Sequence, residues 1–187
     1  MNRKRVSFSP LDPTERNVKR QKLERGSRHD QPDTLYLQQA ARDGQPFLVK
    51  RLIDLGSDPT SDDHRAIKEA AFYGHTEVVR VLSQYSDPGT SDNLPLRYAC
   101  KGGNVEMVKV LLGCPGVNPC CQQGEPLRLA SYFGHTGVVE LLLADRRVKP
   151  AQLIFNGTPS KEVVELLLKY GYGRPALTWQ GIVGLVC

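Results

Sequence analysis

His75 and His135 stand sixty residues apart, each directly after a glycine (Gly74, Gly134) and directly before a threonine (Thr76, Thr136). A histidine in so regular a setting could serve as a general base, a metal ligand or a helix cap. The equivalent places elsewhere in the chain hold Asn104 and Ser160, and a position that accepts His, Asn or Ser behaves like a cap, not a base. Neither histidine has a carboxylate pair beside it in the sequence, and no Gly-x-Ser-x-Gly or glycine-rich phosphate loop occurs. Five cysteines (Cys100, Cys114, Cys120, Cys121, Cys187) are an odd set for a disulfide framework. Cys114, Cys120 and Cys121 cluster in a loop-like stretch, but no nearby histidine or second Cys-x-x-Cys completes a zinc set. The expectation is free thiols, no metal, no cofactor and no enzymatic activity.

The elements that place these residues follow a repeat. Gly44, Gly74, Gly103 and Gly134 are spaced by 30, 29 and 31. Each has an alanine four places before it (Ala40, Ala70, Ala99, Ala130). Each is followed by an apolar pair (Leu48-Val49, Val78-Val79, Met107-Val108, Val138-Val139) and then a leucine (Leu52, Leu82, Leu111, Leu142). Repetition at this length implies small units stacked side by side, none able to bury its apolar face alone. In residues 94–119, Pro95 suits a first helical turn, and Leu96, Ala99 and Cys100 form one apolar stripe. Gly103 can end that helix in the left-handed conformation, and Asn104 can cap a second helix with the stripe Val105, Val108, Leu111 and Leu112. Pro119 begins the connection to the next unit. Ser160 caps a last second helix carrying Val163-Val164 and Leu166-Leu167-Leu168, while residues 152–156 offer only a stunted partner for it. Four full helix pairs and an incomplete fifth are enough for a stable all-α array.

The lines Pro126-Leu127-Arg128-Leu129-Ala130-Ser131-Tyr132-Phe133-Gly134-His135 and Ala70-Ala71-Phe72-Tyr73-Gly74-His75-Thr76-Glu77-Val78-Val79 carry a further implication. Residues 35–171 resemble an ankyrin-repeat solenoid. The usual Thr-Pro-Leu-His opening reads Leu94-Pro95-Leu96-Arg97 and Glu125-Pro126-Leu127-Arg128, with Arg65-Ala66-Ile67-Lys68 in the second unit, and the period is nearer 30 than 33. These departures resemble a divergent subgroup with shortened fingers in place of long β-hairpins. The resemblance implies a protein partner held in a concave groove by Lys68, Phe72, Tyr73, Arg97, Lys101, Arg128, Tyr132 and Phe133. Large aromatics at exposed sites make good anchors; the alternative is that these rings pack between neighbouring repeats.

The chain has 187 residues, 40% of them hydrophobic, and its excess positive charge is unevenly placed. Residues 1–34 carry nine Lys or Arg against five Asp or Glu, and the remainder sixteen against fifteen. The basic character therefore belongs to a tail, whose mixture of charge, Pro, Ser and Gln reads as disordered. Within it Arg5-Val6-Ser7-Phe8 is similar to the docking motif of type-1 protein phosphatase regulatory subunits. An extended peptide puts Val6 and Phe8 on one face, to fill apolar pockets while the backbone pairs with a sheet edge. Ser7 follows basic residues as kinase sites do and Ser9 precedes Pro10; phosphate on Ser7 would place negative charge between the two anchors and abolish docking.

Arg3-Lys4-Arg5 and Lys19-Arg20-Gln21-Lys22 resemble a nuclear import signal, to be read by an import receptor. Residues 13–25 read as a capped helix without an apolar stripe, expected to form only on a partner. The alternative function is a nuclear regulator associated with nucleic acid through this tail. Direct nucleic-acid binding is not favoured, because the repeats are near neutral and the tail lacks interleaved aromatics. With no apolar run of spanning length and no secretory signal, residence in nucleus or cytoplasm and no membrane contact are expected, for a monomer. Residues 172–187, ending Gly-Leu-Val-Cys, form an extension in which Trp179, Ile182, Val183 and Leu185 could cover the end of the array.

Overall fold

The structure is a computed structural model that describes residues 32–148 and 160–171. The phosphatase-like motif, both basic clusters, Ser7, Ser9, the stunted helix at 152–156 and the extension from 172 lie outside the described residues. Nine helices occur among those described: α1 Pro32–Arg42, α2 Pro46–Asp54, α3 Ser61–Phe72, α4 Thr76–Leu82, α5 Thr90–Lys101, α6 Val105–Leu112, α7 Cys121–Tyr132, α8 Thr136–Ala144 and α9 Lys161–Lys169. There is no strand among the described residues.

The chain folds as successive antiparallel helix pairs in two layers. α1, α3, α5 and α7 pack in sequence as one row, and α2, α4, α6, α8 and α9 as the other. The repeated apolar residues form the seam between rows: Leu37, Ile67, Leu96 and Leu127 from the first, Val49, Val79, Val108 and Val139 from the second, all fully buried. Leu82, Leu111 and Leu142 are fully buried beside them, whereas Leu52, at the start of the array, is only partly so.

The turn within each pair explains the glycine and alanine spacing. Gly44, Gly74, Gly103 and Gly134 have φ of +70°, +82°, +71° and +73°, a conformation in which a side chain is strained. The next residue then donates its N–H back to the alanine carbonyl, Gln45 to Ala40, His75 to Ala70 and His135 to Ala130 at 2.9 Å, and Asn104 to Ala99 at 3.1 Å. This is the closure of a helix ended by a left-handed residue, and the small alanine also lets helices approach.

The cap reading of the residue after each glycine holds at two positions and fails at two. The Asn104 side chain accepts the Met107 N–H at 2.9 Å, and Ser160 accepts that of Val163. His75 and His135 make no such bond. Their Nε2 atoms instead reach the preceding repeat, 2.8 Å from the Arg42 carbonyl oxygen and 3.0 Å from that of Lys101. A carbonyl only accepts, so Nε2–H is the donor and the ring ties one helix pair to the one before. Gly44 and Gly103 lie directly beneath these rings; a Cβ at either would fall 2.5 Å from the imidazole.

Between pairs the chain makes an Asx-Pro turn followed by three left-handed residues. Asp58 Oδ1 accepts the Thr60 N–H, Asp87 Oδ1 that of Gly89 and Asn118 Oδ1 that of Cys120, a local bond characteristic of Asp and Asn in turns. Then come Asp62-Asp63-His64, Ser91-Asp92-Asn93 and Gln122-Gln123-Gly124, all with positive φ. The right-handed helix begins only after each run, so Pro95 and Pro126 occupy a first turn, where proline is tolerated. Eight non-glycine residues in this region of backbone carry a cost of about 1–2 kcal/mol each. Bonds from the neighbouring repeat counter part of it: Gln38 of α1 donates to Asp62 at 2.6 Å, Thr90 and Ser91 to Asp63 at 3.1 and 2.6 Å, and Gln122 to Asp92 at 3.1 Å. Asn93 is buried and accepts the Asn118 N–H at 2.6 Å.

Candidate protein-binding face

The sequence-derived groove residues all lie on the first-helix row and its turns, in two different environments. Lys68, Arg97 and Arg128 occupy one register position, six before the turn glycine, and are engaged within the array. Lys68 Nζ is 2.8 Å from Asp63 Oδ2 and 3.2 Å from Ser91 Oγ. Arg97 and Arg128 share Glu125: Arg97 Nη2 lies 4.0 Å from Oε1 and Arg128 Nη2 pairs with Oε2. All three of these side chains are largely shielded from solvent. Asp63 was not recognised from sequence; hydrogen bonds from Lys68, Ser91 and Thr90, with the Lys68 charge added, hold its carboxyl well below the usual carboxylate range.

The aromatic pairs stand at the opposite end of the same helices. Phe72 is 59% exposed and Tyr132 64%. Each meets its own neighbour edge to face at 5.1 Å, Phe72 with Tyr73 and Tyr132 with Phe133. Phe72 also meets Tyr98 of the next repeat at 5.1 Å while still facing solvent. Tyr73 and Phe133 are stacked beside His75 and His135, and Arg42 and Lys101 lie over these two rings, 5.1 Å from the Tyr73 centroid and 6.0 Å from that of Phe133. Arg42 is a member of this face that sequence reasoning missed. It sits two residues before Gly44, where Phe72, Lys101 and Tyr132 sit before their own glycines, and that alignment was available to find it.

Between these two ends, Phe72 and Lys68 meet Arg65, Glu69, Leu94 and Tyr98 around an open depression of about 620 Å³. Its lining is mixed, one aliphatic and two aromatic side chains against paired charges, with Arg65 3.4 Å from Glu69.

Two of the described cysteines, Cys100 and Cys121, are sheltered thiols. Cys100 is fully buried and burial pushes its thiol far above the ordinary range, while Cys121 is pushed up to about 11, mainly by burial. Thiols raised in this way stay protonated at neutral pH and are poor nucleophiles and ligands. Among the described residues no group of three His, Cys, Asp or Glu side chains is arranged to hold a metal ion.

Fold and face together define a helix-pair solenoid of the kind used as a binding scaffold. The family described as ankyrin repeats (3 copies) matches residues 37–123 and, overlapping them, residues 84–152. The chain belongs to the ankyrin-repeat family, and its array is a protein–protein interaction module of a generally non-enzymatic kind. No curated protein matches it. No helix among the described residues is long and apolar enough to cross a membrane.

Proposed function

We propose that the protein is an adaptor that holds a protein partner against its first-helix row and recruits type-1 protein phosphatase through Arg5-Val6-Ser7-Phe8. The observation that supports the groove reading is the exposure of Phe72 and Tyr132 at one register position: large rings left in water on a folded scaffold are the usual anchors of an interface. Phosphatase recruitment is supported by the spacing of Val6 and Phe8 behind a basic run. Nuclear entry through Lys19-Arg20-Gln21-Lys22 is part of the same reading.

Affinity capture with the full chain tests both halves. Val6→Ala with Phe8→Ala is expected to eliminate phosphatase capture and leave groove partners bound; Phe72→Ala with Tyr132→Ala is expected to do the reverse. Phosphatase capture that survives the tail double variant, or that is equal for a Ser7-phosphorylated chain, refutes the docking role. The second reading, a nuclear regulator whose basic tail contacts nucleic acid, is favoured by the concentration of positive charge in residues 1–34. It requires a salt-sensitive affinity for nucleic acid that the tail double variant leaves unchanged.

A further inference from the structure

Arg42, Phe72, Lys101 and Tyr132 close four successive first helices two residues before the turn glycine. The series runs cation, aromatic, cation, aromatic, so this edge of the molecule repeats every two helix pairs, not every one. The same doubling governs the contacts. His75 and His135 bond back to the cationic repeat, Gly44 and Gly103 lie under their rings, and Arg42 and Lys101 sit against Tyr73 and Phe133. Asn104, between them, holds Gly74 and Thr76 instead.

The charges on this edge differ from those deeper on the row. Lys68, Arg97 and Arg128 have carboxylates from their own chain. Among the described residues Arg42 and Lys101 have none, and each is exposed against a ring. We propose that this ridge binds an extended acidic peptide in which carboxylates and large apolar side chains alternate, carboxylates on Arg42 and Lys101 and apolar side chains on Phe72 and Tyr132. The unpaired cations select acidic residues by charge complementarity, and the fixed rings accept apolar ones at little ordering cost.

Register follows from the stacking. Packed helices lie about 8–10 Å apart, and an extended chain of the polyproline type advances about 3.1 Å per residue with three residues per turn, so peptide residues three apart share one face and match neighbouring ridge positions. The ligand pattern is acidic-x-x-apolar, given twice. This partner chemistry rests on the protein-binding reading above and sharpens it.

The test uses the full chain and a fluorescein-labelled decapeptide with glutamate first and seventh, phenylalanine fourth and tenth, and serine elsewhere. Saturable binding is expected, weakened about tenfold or more by Lys101→Glu and by Tyr132→Ala. Lys109→Glu, an exposed cation of α6, should leave it unchanged. Circular dichroism of each variant checks that the helices persist, and Arg42→Gln supplies a milder second variant. The proposal is overturned if glutamine or a scrambled order serves as well as the original peptide, if no saturable binding occurs, or if a single-stranded oligonucleotide displaces the peptide through the same residues. Should a protein captured by the full chain depend on Phe72 while no acidic peptide binds, the peptide chemistry fails and the adaptor reading stands. Should protein capture be indifferent to Phe72 and Tyr132, the adaptor reading itself fails.

Discussion

Gly44 and Gly74 share a left-handed backbone, yet a methyl group added at Gly44 would lie 2.5 Å from the His75 ring, whereas one at Gly74 meets nothing within 4 Å. Gly74→Ala should therefore cost only the conformational strain, about 1–2 kcal/mol. Gly44→Ala must in addition displace the imidazole and lose its 2.8 Å bond to the Arg42 carbonyl, adding about 0.5–1.5 kcal/mol. In a His75→Ala background the excess should vanish, because the ring that objects to the methyl is gone. Urea unfolding of the four variants measures this coupling as a double-mutant cycle; equal costs for Gly44→Ala and Gly74→Ala in the wild-type background would refute the account. The sequence shows two glycines in identical register and a histidine one repeat away. Only the stacked array shows which glycine supports which histidine.

At the scale of elements, the helices were legible and the links between them were not. Each helix could be read because its apolar stripe, alanine and closing glycine recur within one unit, where the chemistry is local. The left-handed runs at Asp62–His64, Ser91–Asn93 and Gln122–Gly124 share no residue type at all three places of the run, since what fixes them is hydrogen bonding to the neighbouring turn. The candidate face divides the same way: Phe72 and Tyr132 were visible as aromatic doublets, whereas Asp63 and Glu125 matter through partners 28 and 28 residues away, in Ser91 and Arg97 of adjoining helices. Asp63 makes the link between α3 and α5 dependent on pH. Its folded-state pKa is depressed, so its contribution is complete above the ordinary carboxylate value, near pH 4, and is lost as pH falls below that toward the depressed value. Thermal unfolding from pH 6 to pH 2 should show the wild type losing more stability than Asp63→Asn. Parallel acid limbs for the two proteins would show that the carboxylate does not hold the turns together.

For the whole molecule, a residue's energetic weight is set by where its repeat lies in the stack. Leu48, Val78, Met107 and Val138 occupy one register position, four after the turn glycine; the last three are fully or almost fully buried, while Leu48 is 41% exposed. Tyr36 is 65% exposed where its counterpart Ala66 is 2% exposed. The cause is that each helix pair is covered by the pair before it, and among the described residues no pair precedes α1 and α2. Terminal repeats of such arrays usually present a polar outer face, but this one carries Leu35, Tyr36, Phe47 and Leu48 into solvent. A large-to-small change should therefore read out position in the array, not residue type. Met107→Ala, which opens a cavity in the closed core, should cost about 2–5 kcal/mol. Leu48→Ala removes a side chain already partly in water and should cost about 1 kcal/mol. Because neighbouring pairs stabilise each other, Met107→Ala should also weaken protection of α4 and α8 on either side, whereas Leu48→Ala should leave α6 and α8 as slow to exchange as in the wild type. Hydrogen exchange followed helix by helix distinguishes the two, and uniform loss of protection from either substitution would mean that the array unfolds as one indivisible unit and position within it carries no weight.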